Sequence, residues 1–409
     1  MTDNEQTNFS EIFTFRNGKT RPKSEGKYKV YGSGGLIGTC ADTNTDGNVS
    51  VIGRVGTKCG NVFFVQDPSY VTDNAIIAKT KENFDPYYGY YLLKNKKLNR
   101  LRHGSGQPLI NQDTLNGLKT PSLSKQQELS CAELLSSIDK KIKLNQQMNQ
   151  TLEEVAKTLF KSWFIDFDPV RAKAEGRSTG LSKEISDLFP DSFEESELGE
   201  IPRGWKVDPL SQITSFKNGF AFKSKDWSDI GAPVIKIGNV KPLILDIDGC
   251  SFISDELAEL HIEYLLSRGD IMIGMTGYVG ETCLVPKLKR MPYQNQRVGK
   301  LIPNEEYLNA FLFSFLRQSK FKKKVEEISQ GSAQQNVSGA SILEIKFINS
   351  SNELIKQFSG ITSALFEKIL FNYEENLILT ELRGTLLPKL ISGELRIPDA
   401  EKLVEEAGV

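Results

Sequence analysis

Histidine is almost missing from this chain of 409 residues: only His103 and His261 occur, and neither has a partner at ligand spacing. A His/Cys metal site or a Ser-His-Asp triad is therefore not expected. Cysteine is sparse and scattered (Cys40, Cys59, Cys131, Cys250, Cys283) without a C-x-x-C pair, which leaves no disulfide framework and no zinc knuckle. No apolar run approaches the roughly 18–20 residues needed to cross a bilayer. The opening Met1-Thr2-Asp3-Asn4-Glu5-Gln6 is acidic and polar, unlike a secretory signal. These absences predict a cytoplasmic protein with no membrane partner. Charge of one sign is lacking too, with 51 Lys and Arg against 52 Asp and Glu. That balance excludes a nonspecific coat for nucleic acid, though a sequence reader needs only local positive charge.

Chemical motifs are equally scarce. There is no G-x-x-x-x-G-K-[ST], and Gly32-Ser-Gly-Gly-Leu-Ile-Gly38 fails G-x-G-x-x-G because Ile37 stands where the third glycine belongs. Asp85-Pro-Tyr-Tyr88 faintly echoes the catalytic tetrapeptide of adenine methyltransferases, but lacks its second proline and any accompanying glycine-rich loop. Asp166, Asp168 and Asp191 form no nuclease-like cluster in sequence. The expectation is a non-catalytic chain with no cofactor of its own.

What is present is a duplication with a period of about 200–230 residues. Phe9-Ser-Glu-Ile-Phe-Thr-Phe-Arg-Asn-Gly18 aligns without a gap on Leu210-Ser-Gln-Ile-Thr-Ser-Phe-Lys-Asn-Gly219. Gly53, Gly56 and Gly60 answer Gly274, Gly277 and Gly280, and Asp73-Asn74 is aligned with Gln294-Asn295. Gly104-Ser-Gly-Gln107 then matches Gly331-Ser-Ala-Gln334 at an offset of 227, which continues through Ser136/Ser363, Asn145/Asn372, Asn149/Asn376, Leu152/Leu379 and Leu159/Leu386. Units of this length are domains, not solenoid repeats.

Each unit reads as a strand-rich α+β domain followed by a long helix. Val49-Ser-Val-Ile-Gly53 and Asp270-Ile-Met-Ile-Gly274 are short β-type runs ended by glycine. Ser124 and Gln127 have capping-box spacing behind Pro121, and no Pro or Gly follows until Pro169. A helix of about 40 residues, roughly 60 Å, is possible. Ile138, Asn145, Leu152 and Leu159 recur every seven residues with Met148 and Val155 between them, a coiled-coil seam with one polar position. Leu365, Asn372, Leu379 and Leu386 form the equivalent line, and Gly384 and Pro388 should loosen or kink its end. The expected fold is α+β: two duplicated domains separated by two long antiparallel helices (a coiled coil), a dumbbell with pseudo-twofold symmetry. The alternative has each helix packed on its own domain. The expected domains are residues 1–123, a helix over 124–168, a polar linker over 169–204 with an acidic patch, a second domain over 205–350, a helix over 351–397 and a tail over 398–409.

Basic residues gather at equivalent places. Lys94, Lys96, Lys97, Arg100, Arg102 and His103 precede the first Gly-Ser loop; Arg317, Lys320, Lys322, Lys323 and Lys324 precede the second. Such a cluster suits phosphate clamping, with Gln107 and Gln334 available for base edges; the competing reading is a solvated helix face. Lys19, Arg21 and Lys23 have the loose counterparts Lys217, Lys223 and Lys225. Arg54 and Lys58 have none, since Met275 and Tyr278-Val279 occupy that region; if these turns face DNA, the two units should read different bases. Phe160, Trp163, Phe164 and Phe167 close the first helix, either packing against the second unit or forming a partner-protein surface.

Three further segments carry a resemblance. Leu159-Phe-Lys-Ser-Trp-Phe-Ile-Asp-Phe-Asp-Pro169, Glu197-Leu-Gly-Glu-Ile-Pro-Arg-Gly-Trp205 and Leu386-Leu-Pro-Lys-Leu-Ile-Ser-Gly-Glu-Leu395 resemble, in order, the helix end, domain opening and C-terminal helix end of Type I restriction-modification specificity subunits. The first unit departs by beginning at Phe9 without an Ile-Pro-x-Gly-Trp lead. The resemblance implies two target-recognition domains, each reading half of an asymmetric bipartite site in double-stranded DNA, with the paired helices as a ruler. It also implies two methyltransferase subunits that use S-adenosylmethionine on adenine, and motor-nuclease subunits that translocate and cut. Two rival readings stand beside it: a specificity partner of a single-chain restriction-methylation enzyme, and a protein-only coiled-coil scaffold.

Overall fold

The computed structural model describes residues 6–103, 108–329 and 336–408. Contacts divide it into two units, Met1–Lys143 with Asn376–Val409, and Leu144–Glu375. Among the described residues no helix is long and apolar enough to cross a membrane.

In the first unit β1 (Phe13–Asn17), β2 (Tyr28–Gly32), β3 (Gly35–Cys40), β4 (Val49–Gly53), β5 (Val62–Val65), β6 (Tyr70–Val71) and β7 (Ala75–Thr80) form two sheets, ordered β1-β7-β4-β5 and β3-β2-β6. The first is antiparallel throughout; β2 and β6 run parallel. Every residue of β4 is buried, because strand alternation sends its side chains into two cores. Val49 and Val51 meet Val65, Val71 and Ile77, while Ile52 joins Phe13, Ile76 and Ala78. Helix α1 (Pro86–Asn95) covers that second core with Tyr88, Tyr91, Leu92 and Leu93. The Asp85-Pro-Tyr-Tyr88 tetrapeptide is its N-terminus: Asp85 accepts from the backbone of Tyr87 at 2.8 Å and Tyr88 at 3.0 Å, with Pro86 as the first helical residue. Helix α2 (Lys125–Phe164) follows. Its expected capping box is formed, with Gln127 Oε1 accepting from Ser124 N at 3.0 Å.

The second unit repeats the scheme. Strands β8 (Thr214–Asn218), β9 (Trp227–Ser228), β10 (Ala232–Ile235), β11 (Leu243–Ile244), β12 (Ser251–Ile253), β13 (Ile271–Gly274), β14 (Thr282–Leu284), β15 (Tyr293–Gln294) and β16 (Val298–Pro303) make sheets ordered β8-β16-β13-β14-β11 and β9-β12-β10-β15. Helices α3 (Leu308–Leu316) and α4 (Ser319–Ser329) precede α5 (Asn352–Ser392). Residues 169–204, expected as a polar linker, are structured instead: helices Asp168–Ala174 and Lys183–Ser186, then a hairpin pairing Phe193–Ser196 with Gly199–Pro202. The cause is a few apolar anchors among the charges. Val170, Phe189 and Ile201 are buried, and the Phe189 ring lies edge-on to Trp163 at 5.2 Å. The expected tail is likewise a helix, Ile397–Glu406, with Ala400 buried.

The two long helices pair antiparallel within each unit. In the second, Asn372 Nδ2 donates to Asn149 Oδ1 at 2.8 Å, Asn149 Nδ2 donates to Ile369 O at 3.0 Å, and Asn145 donates to Glu375. In the first, Arg383 pairs with Asp139, which also accepts from Tyr91 Oη at 2.7 Å. Leu379 and Leu386 are buried and Leu365 half-buried as expected, but Met148 and Val155 are exposed. The inner positions between heptads are Asn149 and Ala156. One residue of phase separates the two readings, and the more apolar side chains were on the wrong side of it. Helix α5 continues through Gly384 and Pro388 to Ser392. The amide that Pro388 lacks belongs to the bond Gly384 O would accept, and Leu386, Leu387, Leu390 and Ile391 hold that end by burial.

Candidate nucleic-acid interface

The duplication is visible bond by bond at one edge of each unit. Gly60 N donates to Gly53 O at 2.8 Å and Gly280 N to Gly274 O at 3.0 Å. Ile110 N donates to Arg54 O, and Val337 N to Met275 O, both at 3.0 Å. Asn111 caps the helix Gln112–Asn116 as Ser338 caps Gly339–Leu343. The offset of 227 (Ile110 to Val337, Asn111 to Ser338) therefore holds here. The alignment of Asp73-Asn74 with Gln294-Asn295 does not. Asp73 N donates to Lys19 O and Arg54 N to Asn74 O; Gln296 N donates to Phe220 O and Met275 N to Arg297 O. Lys19 follows Gly18 as Phe220 follows Gly219, so Asp73-Asn74 corresponds to Gln296-Arg297. Two extra residues enter before β16, and the Asp-Asn/Gln-Asn likeness masks them.

In the first unit this framework gathers several of the expected DNA-binding residues. Lys19 is exposed, with its backbone tied to Val71 and Thr72. Arg21 is exposed, and its guanidinium lies over Gly38, where a Cβ would stand 2.7 Å from Nη2. Arg54 is half-buried and reaches Asp73 O at 3.4 Å. The exposed Lys58 runs beside Gly34. Ser33 on the hairpin tip donates to Asn74 O and accepts from Val55 N at 3.4 Å, joining that tip to the strand connection and to the glycine turn. Arg102 is exposed near Cys59, whose thiol burial pushes up while the Arg102 charge opposes it. Arg100 and Lys97 are exposed on the turn Leu98–Arg100. That turn packs on Gly60, where a Cβ would lie 2.3 Å from Asn99 N; with φ of +88° the position demands glycine twice over. Lys23 is exposed with no link to the framework among the described residues.

Other members of the basic runs are braces. Lys94 donates to Tyr90 Oη at 2.9 Å, and burial, then the Arg383 charge, lowers its pKa. Lys96 sits over the Phe9 ring. Lys217 donates to Glu263 O and covers the Tyr264 ring, which removes it from the candidate interface. Arg317 is half-buried between Glu153 and Glu281, and Lys322 also pairs with Glu281 at 2.8 Å. Lys324 pairs with Glu327; Lys323, Lys223 and Lys225 are exposed without an ion pair among the described residues. Helix α4 nonetheless stands against the second glycine turn, with Val325 Cβ 3.1 Å from where a Gly280 Cβ would be. Gln107 and Gln334 lie outside the described residues.

The aromatic cluster is not a partner surface. Phe160, Trp163, Phe164 and Phe167 are 2–4% exposed in the core of the second unit, interlocked with Phe311, Phe358 and Trp205. An aromatic end to a helix buries more area inward than it could offer outward. Sequence reasoning missed Arg297, exposed in a cleft of about 890 Å³ with Asn218, Thr276, Gln296 and Asn336. Its signal was present only in the correct loop register.

A model of the Type I restriction modification DNA specificity domain matches residues 1–154 and again 202–349. The chain belongs to that family. Among its relatives is the Type I restriction enzyme HindI specificity subunit of Haemophilus influenzae, 30% identical over 332 residues that span 70% of this chain and 71% of the relative. The MjaIX specificity subunit of Methanocaldococcus jannaschii is 25% identical over 76% of this chain and 69% of its own length. In fold, the chain resembles the crystal structure of a Type-I restriction-modification S subunit from M. genitalium, with a TM-score of 0.61 and 20% identity over 96% and 97% of the two chains. Two copies of the specificity domain, mixed helix and sheet, and long helices are thus the family's features in this chain.

Proposed function

We propose that this specificity-family chain selects the DNA site for a restriction-modification complex, is itself non-catalytic, and leaves adenine methylation and cleavage to methyltransferase and motor-nuclease partners. The observation that supports this reading best is the repeated loop framework with unlike side chains. Each unit presents a glycine turn, a neighbouring strand connection and a third segment at one edge, with Arg54 in one unit where Met275 stands in the other. Two readers built alike but furnished differently suit a split, asymmetric target. Phosphate contacts come from the exposed cations, which position the duplex without naming its sequence.

The paired helices set the gap between half-sites in this proposal, and their partners join the chain to form the binding-competent complex, since net charge alone gives it little pull on DNA. Gel-shift competition with the reconstituted complex tests it. A target-bearing duplex should outcompete random duplexes by about 10³-fold or more at physiological salt. Equal affinity for random duplexes would reject the proposal and leave the scaffold reading in its place.

A further inference from the structure

Of four corresponding positions in the two frameworks one is shared and three differ, and the differences are chemically directed. Asn17 and Asn218 are shared. Arg54 becomes Met275, Asn74 becomes Arg297, and Gln112 becomes Gly339. In the first unit Gln112 Nε2 donates to Asn17 Oδ1 at 3.1 Å, which ties that asparagine down. In the second the glycine is enforced by packing, since a Cβ at Gly339 would come within 2.3 Å of the Phe216 ring. Asn218 is left without a side-chain partner among the described residues, and the cleft of about 890 Å³ stays open beside it. The cation has moved from the glycine turn to the facing strand connection.

Arg297 and Arg203 are exposed arginines of the second unit with no ion pair among the described residues, and of the two Arg297 lines the cleft. Arg268, Arg290 and Arg317 are each paired with carboxylates. Arg297 is exposed and makes no ion pair or side-chain hydrogen bond among the described residues. Its backbone is nevertheless held: its carbonyl accepts from Met275 N at 3.2 Å, and Val298 N closes the adjoining turn on Asn295 O at 3.0 Å. A free guanidinium on a fixed backbone, opening into a cleft lined by amide and hydroxyl groups, has the features of a specificity determinant.

We propose that this cleft receives the edge of a base pair and that Arg297 reads a guanine in the half-site bound by the second unit. The inference rests on the DNA-reading function proposed above. Two parallel N–H donors of a guanidinium match guanine O6 and N7, whereas a phosphate offers no base discrimination. Asn218 supplies a neutral donor and acceptor for the neighbouring base, Thr276 Oγ1 donates to Asn336 Oδ1 at 3.1 Å and leaves the Asn336 Nδ2 as a further donor, and Met275 keeps a second cation out of the cleft. The first unit carries its arginine, Arg54, on the glycine turn instead, where it reaches Asp73 O at 3.4 Å.

The test is selection from a pool of randomised duplexes by the chain assembled with its methyltransferase subunits, followed by sequencing of the bound fraction. The wild-type complex should return a split motif. Arg297→Ala and Arg297→Lys should return that motif with one guanine position in one half no longer selected, discrimination there falling roughly 10- to 100-fold. Other positions and the melting temperature should be unchanged. Should Arg297→Ala weaken all duplexes alike with the motif intact, and Arg297→Lys restore them, Arg297 is a phosphate clamp and the proposal is overturned. An unchanged motif at unchanged affinity overturns it as well. A wild-type complex that returns no motif removes the DNA-reading function itself, which keeps the two failures apart.

Discussion

Arg317 donates to Glu153 on α2 and to Glu281 beside the second glycine turn, and Lys322 completes the group. Burial alone would raise the Glu281 pKa, but hydrogen bonds from Lys322 and Arg317 bring it below the ordinary value of 4.5. A depressed carboxylate stabilises the fold fully above its unfolded pKa and loses that contribution as pH falls through the folded value. The melting-temperature gap between wild type and Glu281→Gln should therefore be open at pH 7 and close as pH drops below about 4.5; a gap independent of pH would refute this. Replacing Arg317 by Met removes the cation that Glu153 and Glu281 share, leaves each with one lysine, Lys157 and Lys322, and should cost about 1–3 kcal/mol in urea unfolding. Lys323 is the contrasting case, exposed on the same helix with no ion pair among the described residues. Lys323→Glu should weaken all duplexes about equally and reduce the salt dependence of binding by about one counterion, measured by titration across salt concentrations. Charge reversal at Lys322 is a poorer probe, because it would also unseat Glu281.

Between the paired helices the buried Asn149 and Asn372 amides bond each other, while Asn372 Oδ1 has no partner among the described residues. Asn149→Leu takes away the acceptor of the buried Asn372 amide, and Asn372→Leu leaves Asn149 with its bond to Ile369 O alone, whereas replacing both lets two leucines pack. Asn149→Leu and Asn372→Leu should each destabilise by about 1–3 kcal/mol, with the double variant recovering most of that loss, read from a double-mutant cycle in urea. Additive losses would show that the amides act independently. The seam was legible in sequence through Asn145, Leu379 and Leu386 because heptad spacing is covalent information. Its other line was misread because Met148 and Val155 are more apolar than Asn149 and Ala156, yet the helix turns the latter inward. Hydropathy decides which face is buried on average, not which residue at a boundary between faces. The order in residues 169–204 was hidden for the same reason, since Val170, Phe189 and Ile201 are isolated anchors in a segment whose mean composition is polar.

At the scale of the whole molecule, duplication carried most of the information available in sequence. It located both glycine turns, both basic segments and both long helices, because these are where offset identity survives. It failed where the copies differ in length, at the two residues before β16 that hid the correspondence of Arg297 with Asn74, and a reader's specificity is concentrated in such unlike loops. The helices are the opposite case, with the same spacing of identical residues in both halves. If they fix the gap in the DNA target, a matched change in both must change that gap without altering either half-site. Deleting seven residues from each helix, chosen to keep the seam in phase, removes about 10 Å of rise, equal to about 3 base pairs at 3.4 Å each. Adenine-methylation mapping in cells that carry the deleted chain with its partners should show both half-sites intact and the spacer about 3 base pairs shorter. A methylated target with its original spacer would mean that the helices join the readers without measuring between them.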